Sequence, residues 1–254
     1  MGLRAAVLVA AALFVRAPSS AEPVDVRYPE GVVHGLLVVR DLQDQTLGSG
    51  DLFQVPRGDR LTSRMVLSFK DGSVHDETVV FTQKRRFRLL SYKLVQKGPS
   101  FPHPMEVTFE GGGPVTVKHT NDHGEEKTET ERLEIPPDVA NGLVPIMLKN
   151  VRADALPKVS FVAATPKPLL VKLAVSSAGD DSFSVAGQAH KAHHYVLKVE
   201  IGGLKGVLAD VLGKEPPDTH VWIASGEAPG FIRSEGPLAM GGAIWRIDLA
   251  EAKW

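Results

Sequence analysis

RLTSRMVLSFK, residues 60–70, places Leu61, Met65, Leu67 and Phe69 on one side of an extended chain and Arg60, Thr62, Arg64, Ser68 and Lys70 on the other. A period of two is the mark of a strand with one dry face and one wet face. Similar runs recur at 32–40, 50–56, 74–82, 87–96, 103–110, 114–120, 127–135, 158–164, 169–176, 182–186, 193–201, 219–225, 230–235 and 243–249. Turn-forming clusters separate them, among them 70–73, 110–114, 121–124 and 177–181. Gly48-Ser49-Gly50 and the stretch 224–227 also read as turns.

One hairpin fixes its own register. Setting Phe109 against Val115 across Gly111, Gly112 and Gly113 brings Val107 to Val117 and Met105 to His119 on one face. The same register sets Thr108 against Thr116 and Glu106 against Lys118 on the other, so both faces are satisfied at once.

IPPDVANGLVPIMLKNV, residues 135–151, breaks the rhythm. Val139, Leu143, Ile146, Met147 and Val151 recur at spacings of three and four, and Pro136, Pro137 and Asp138 suit a helix start. A helix is expected over about 138–150, weakened by Gly142 and Pro145, with a second short helical turn at 206–213. A sheet of more than about ten strands must curl, split or close. The expected architecture is therefore mainly β: a large antiparallel meander curled into an open or incomplete barrel, with one mid-chain helix against its concave face. Residues 22–254 are read as a single domain, with a division near residue 150 as the alternative.

The first residues carry a different message. Arg4 precedes an apolar run from Ala5 to Val15, and small residues follow up to Ser19, Ser20 and Ala21. This is the layout of a secretory signal peptide cleaved after about Ala21. Its eleven apolar residues fall short of the roughly 20 that a spanning helix needs. The expected location is the periplasm, with no membrane-spanning segment in the mature chain.

Composition excludes several chemistries. The chain has no cysteine, which removes disulfides, thiolate metal sites and cysteine nucleophiles. Lys and Arg number 29 against 30 Asp and Glu, and losing Arg4 and Arg16 with the leader leaves 27 against 30. Such a balance does not fit a nucleic-acid binder. The one basic run, 84–88, reads as a solvated strand start. No Gly-x-Ser-x-Gly elbow, His-Glu-x-x-His helix, phosphate loop or dinucleotide fingerprint occurs. Stepping back by two from Trp254 gives Ala252, Ala250 and Asp248, so the C-terminus lacks the apolar outer face of a membrane barrel.

The histidines are the remaining candidates. His190, His193 and His194 lie within five residues. In a strand, His190 and His194 are separated by about 13 Å, too far for one metal ion, and both face outward, while His193 joins Tyr195, Leu197 and Val199. His103 and His119 share with His193 a place on the apolar face near a strand end. His75 and Glu77 also share a face, open to reading as a pH-sensitive pair but more simply as a solvated strand after a tight turn. Phe101, held between Pro99 and Pro102 in the three-proline loop 97–105, is either a recognition element or a plug on the core.

The stretches 136–143 and 222–238, following a long meander, resemble a class of exported bacterial β-rich proteins of unknown function, similar in outline to the lipoprotein carriers. The resemblance implies an incomplete barrel around a helix and a periplasmic address, and transfers no catalytic residue. The expected function is a soluble periplasmic binding protein for an apolar or amphipathic ligand such as a lipid, with no catalysis, cofactor or metal. Tyr92, His103, His119, His193 and Tyr195 are the polar groups expected near its hollow. The alternatives are a structural or adaptor protein of the cell envelope with a filled core and, third, a metal-dependent hydrolase.

Overall fold

The computed structural model describes residues 24–101, 103–121, 123–152, 155–185, 188–200 and 216–253. The expected leader, the helical turn at 206–213 and Trp254 lie outside the described residues. The first half of the chain forms β1 (Val33–Arg40), β2 (Thr46–Arg57), β3 (Arg60–Phe69), β4 (Val74–Gln83), β5 (Phe87–Lys97), β6 (Met105–Glu110), β7 (Val115–Thr120) and β8 (Glu126–Glu131). Helix α1 (Val144–Leu148) follows, then β9 (Lys158–Ala163), β10 (Leu169–Val185), β11 (Gln188–Glu200), β12 (Thr219–Ala224), β13 (Phe231–Pro237) and β14 (Ile244–Lys253).

All fourteen strands belong to one antiparallel sheet in the order β8-β7-β6-β5-β4-β3-β2-β1-β14-β13-β12-β11-β10-β9. Each strand pairs with its neighbours in sequence, with two exceptions. The first and last strands meet in the middle, Leu37 opposite Leu249, and β8 and β9 are left as the two edges. The sheet is not closed.

The alternation of side chains explains both the pairing and the curl. In β3, Leu61, Ser63, Leu67 and Phe69 are buried and Arg60, Thr62, Arg64 and Ser68 are exposed. The β6–β7 hairpin has the register set by its two faces, Met105 to His119, Glu106 to Lys118 and Val107 to Val117. Val107 of β6 and Val221 of β12 belong to one core cluster. Eight steps of sheet would hold them about 38 Å apart if it were flat, so the sheet wraps until its two halves share a core. Val139, Leu143, Ile146 and Met147 fill that concavity. A second cluster gathers Leu37, Val39, Leu67, Phe69, Trp245 and Ile247 around Phe101, which is 2% exposed. Phe101 is thus a plug, its ring 5.7 Å from Phe69 and 5.6 Å from Trp245.

The two edges are managed differently. On β8, Lys127 and Glu129 oppose His119 and Val117 of the core face, yet both are exposed. Charges turned toward the interior end the dry surface there and discourage further pairing. The β9 edge is covered instead. The Ala140 amide donates to the Ser160 carbonyl at 2.9 Å, and the Ser160 amide to the Asp138 carbonyl at 3.3 Å. Asn141 continues the ladder with its side chain: Nδ2 donates to the Val162 carbonyl at 2.9 Å, and Oδ1 accepts from the Val162 amide at 2.8 Å.

Three local expectations are corrected. The helix expected over 138–150 is only Val144–Leu148. Residues 138–141 are spent on the β9 edge, and Gly142 at φ +65° turns the chain between edge and helix. The expected turn at 177–181 is a bulge between Ser177 and Gly179 inside an unbroken β10, and β11 begins at Gln188 rather than 193. Gly at φ +98° suits the extra residue of a bulge as well as it suits a turn. Gly48 and Gly50 lie within β2 rather than in a turn. A Cβ on either would fall 2.3 or 2.2 Å from a β3 carbonyl oxygen, so the close approach of the strands requires glycine.

Candidate functional site

Between the two core clusters the interior is not filled. A cavity of about 360 Å³ is walled by inward residues of both sheet halves, such as Met65, Val79, Leu94, Leu173, Leu197 and Val221, and by Ile146 of the helical segment. Phe161 and Phe231 add aromatic side chains. A small polar set interrupts this lining: Glu30, Gln54, Ser63, His75, Glu77, Tyr92, Lys149, Thr219 and Ser234.

The period of two carries His75 and Glu77 into the interior. In β4 the inward series is His75, Glu77, Val79 and Phe81, so a strand that starts beside an exposed turn still sends its first polar side chains inside. The solvated reading of this stretch is thereby overturned. Asp76, on the opposite face, meets solvent, where Arg64 grips it with two bonds of 2.9 and 2.7 Å.

His75 is 3% exposed. Gln96 Nε2 donates to the Leu238 carbonyl at 2.6 Å and lies 3.0 Å from His75 Nδ1. The carbonyl fixes which end of the amide is nitrogen, so Nδ1 is the acceptor and the imidazole proton sits on Nε2. Burial pushes the His75 pKa down to about 4, so the ring is neutral at ordinary pH. Its Nε2 has no hydrogen-bond partner.

Glu77 and Tyr92 form the second polar group. The Tyr92 hydroxyl donates to Glu77 Oε1 at 2.8 Å. Burial raises the Glu77 carboxyl above its usual range, opposed by the Tyr92 bond. Burial, then the Glu77 charge, pushes the Tyr92 phenol well up. Opposite Glu77 stand Met65 on β3 and Leu94 on β5. Gly142 closes the remaining side, so near that a Cβ there would lie 3.4 Å from Glu77 Cδ and 3.0 Å from Val79.

The third polar group is an ion pair. Lys149 Nζ lies 2.7 Å from Glu30 Oε1, and both side chains are almost wholly buried. Gln83 anchors Glu30 by receiving its amide at 2.7 Å and donating to its carbonyl at 3.0 Å. The Arg27 and Tyr28 amides both reach Asn150 Oδ1 at 2.7 Å, strapping the chain ahead of β1 to the end of the helical segment.

Of the residues expected at a hollow, Tyr92 lines the cavity. The other four are not in its wall. His103 is exposed ahead of β6, and His119 is half-buried on β7. His193 is on the inner face of β11 as expected, but its Nδ1 lies 2.7 Å from Asp180 Oδ1 and its Nε2 2.9 Å from Ser177 Oγ. Tyr195, 4.6 Å from the His193 ring, is buried in the core, and burial raises its phenol pKa. His194 faces outward, stacked on Trp222 at 4.2 Å with Nε2 2.9 Å from His220 Nδ1. Among the described residues no three His, Asp or Glu side chains are grouped to hold a metal ion. Nor is any described helix long and apolar enough to cross a membrane.

Sequence reasoning weighed Glu77 only as a pH-sensitive partner of His75, preferring a solvated strand, and passed over Lys149. For Glu77 the signal was present, since it is in phase with Val79 and Phe81. Lys149 gave none, because its burial depends on the distant Glu30.

No family model matches the chain, and no curated protein matches it. Among solved structures it is similar to the crystal structure of a β-barrel-like protein of domain of unknown function DUF1849 from Brucella abortus. The identity is 11%, over 92% of this chain and 99% of that one, with a TM-score of 0.43.

Proposed function

We propose that the protein binds an apolar or amphipathic ligand, of lipid type, in the cavity between its two core clusters, and that it does so in the periplasm. The observation that carries this reading is the cavity itself: about 360 Å³ of space, walled mostly by aliphatic and aromatic side chains, with a few fixed polar groups. A filled core would have closed it, because protein interiors pack to the density of organic crystals. Size and lining both fall in the range of small-molecule sites. That volume is ample for an alkyl chain. Tyr92 is the expected polar contact that the cavity wall contains.

Native mass spectrometry and solvent extraction of protein purified from the periplasm test this. Recovery of a bound single-chain compound is the expected result. An empty protein that also fails to take up lipophilic fluorescent probes refutes the reading, and a leader retained on cytoplasmic protein refutes the address.

One observation favours the second reading, an adaptor of the cell envelope. Val32, Leu36, Phe53 and Val55 are exposed around the outer face of β1 and β2, where His34 stacks on Phe53 at 4.4 Å. Failure of cross-linking to capture any stable protein partner counts against it.

A further inference from the structure

Glu77 is a half-buried carboxyl with no cation beside it among the described residues. Tyr92 satisfies one oxygen, and Met65, Leu94, Val79 and Gly142 surround the rest with apolar atoms. Each nearby cation among the described residues is committed elsewhere. Lys149, the lysine of the described cavity wall, is held by Glu30 at 2.7 Å. On the outer face Arg64 is held by Asp76 and Lys93 by Glu106 at 3.1 Å. Glu77 nevertheless keeps accessible surface, and that surface belongs to the cavity wall.

A carboxyl in an apolar enclosure is costly unless something compensates it. Such groups concentrate at functional sites for that reason. An internal cation would have removed the cost, and none of the described residues supplies one. We infer that the polar end of the ligand supplies it: the cavity takes a single-chain amphiphile with an amine head, whose ammonium donates to Glu77 while its alkyl chain runs among the apolar side chains. This rests on the ligand-binding reading above and adds the chemistry of the head group.

Three further features agree. Tyr92 fixes the Glu77 carboxyl, so the acceptor is pre-set rather than mobile. Phe161 and Phe231 in the same wall are aromatic, and an aromatic ring attracts a cation placed over its face. An anionic head would set a second carboxylate beside Glu77 in a medium of low dielectric, where like charges repel strongly. The other charges of the described cavity wall, Glu30 and Lys149, neutralise each other and offer such a head no free cation.

The test is a comparison of decylamine, decanol and decanoate, each below its micellar concentration, by titration calorimetry on the whole mature protein at neutral pH. N-phenyl-1-naphthylamine serves as a neutral apolar probe of the cavity. The expected order is amine, alcohol, acid, with the amine at least tenfold tighter than the acid. In Glu77→Gln the amine weakens at least tenfold and the acid no longer trails it by more than threefold. Decanoate or decanol binding the wild type as tightly as decylamine overturns the inference, as does an amine affinity unchanged in Glu77→Gln. The wild-type order stands as a test even where the variant does not fold. Failure of all three ligands and of the probe refutes the cavity reading itself, whereas probe uptake without amine preference refutes only the head group.

Discussion

Replacing Asn141 with alanine exposes how the open sheet is kept from fraying at β9. Asn141 is 1% exposed, and its amide both donates to and accepts from the backbone of Val162, itself buried. Alanine leaves a buried N–H and a buried C=O without partners, at about 1–3 kcal/mol each. The expected loss is thus about 2–6 kcal/mol, which for a chain of this size lowers the melting temperature by roughly 5–20 °C. Denaturant titration gives the free energy, and hydrogen exchange of the Val162 amide locates it. Asn141→Asp sharpens the test because it keeps the shape. One carboxylate oxygen can still accept from the Val162 amide, but the other faces the Val162 carbonyl with no proton to donate. The aspartate variant is therefore no more stable than the alanine variant at neutral pH, and it recovers in acid as the carboxyl gains a proton. An alanine variant within about 0.5 kcal/mol of wild type, an effect size ordinary for surface positions, with Val162 exchange unchanged, refutes the side-chain ladder.

Three other outcomes follow from the buried groups. Phe101→Ala empties a site between Phe69 and Trp245 and costs about 3–5 kcal/mol by denaturant titration. His75 has a folded pKa of about 4 against 6.5 ordinarily. Its contribution is complete above pH 6.5 and lost as the pH falls toward 4, a change of about 3 kcal/mol; His75→Gln flattens that limb of the stability profile, and an unaltered limb sinks the assignment. Glu77 has the opposite sign: its raised pKa favours the fold below 4.5 and penalises it as the pH rises through the folded value. Glu77→Gln without ligand is accordingly more stable than wild type at pH 8, with the difference vanishing below pH 4.5, and equal midpoints at pH 8 refute the account.

Much of the sheet was legible because its two faces differ chemically. The register of β6 against β7 follows from Val107, Val117, Glu106 and Lys118 alone. Phe101 shows the limit of such reasoning, since a proline-stiffened aromatic looks the same whether it meets solvent or Trp245. Turn composition misled at Gly179, because glycine and aspartate serve a bulge as readily as a reversal. The apolar spacing of Val139, Leu143, Ile146 and Met147 identified which side chains turn inward, but not how few of them are helical. That depends on Ala140 and Asn141 finding partners on β9, which no local pattern encodes. The cavity was the least legible feature, since an unfilled volume is a property of both halves of the sheet together. Glu77 shares its phase with Val79 and Phe81, and the ordinary preference of glutamate for water hid what that phase implied.

The meeting of β1 with β14 at the middle of the sheet sets the timetable of folding. Apart from this seam, each strand pairs with a near neighbour in the chain, so β1 to β8 can zip as they emerge while β9 to β14 are still unmade. The seam joins Leu37 to Leu249 and must wait for β14. Until then β1 offers a bare edge carrying Leu36, Leu37, Val38 and Val39, the kind of surface that recruits wrong partners. Refolding should accordingly show an early phase that protects β3–β5 amides and a later one that protects β1, and pulse-labelled hydrogen exchange that finds both protected together would show that the two halves form as one unit. The chain's hazardous interval is the time between making its first strand and its last.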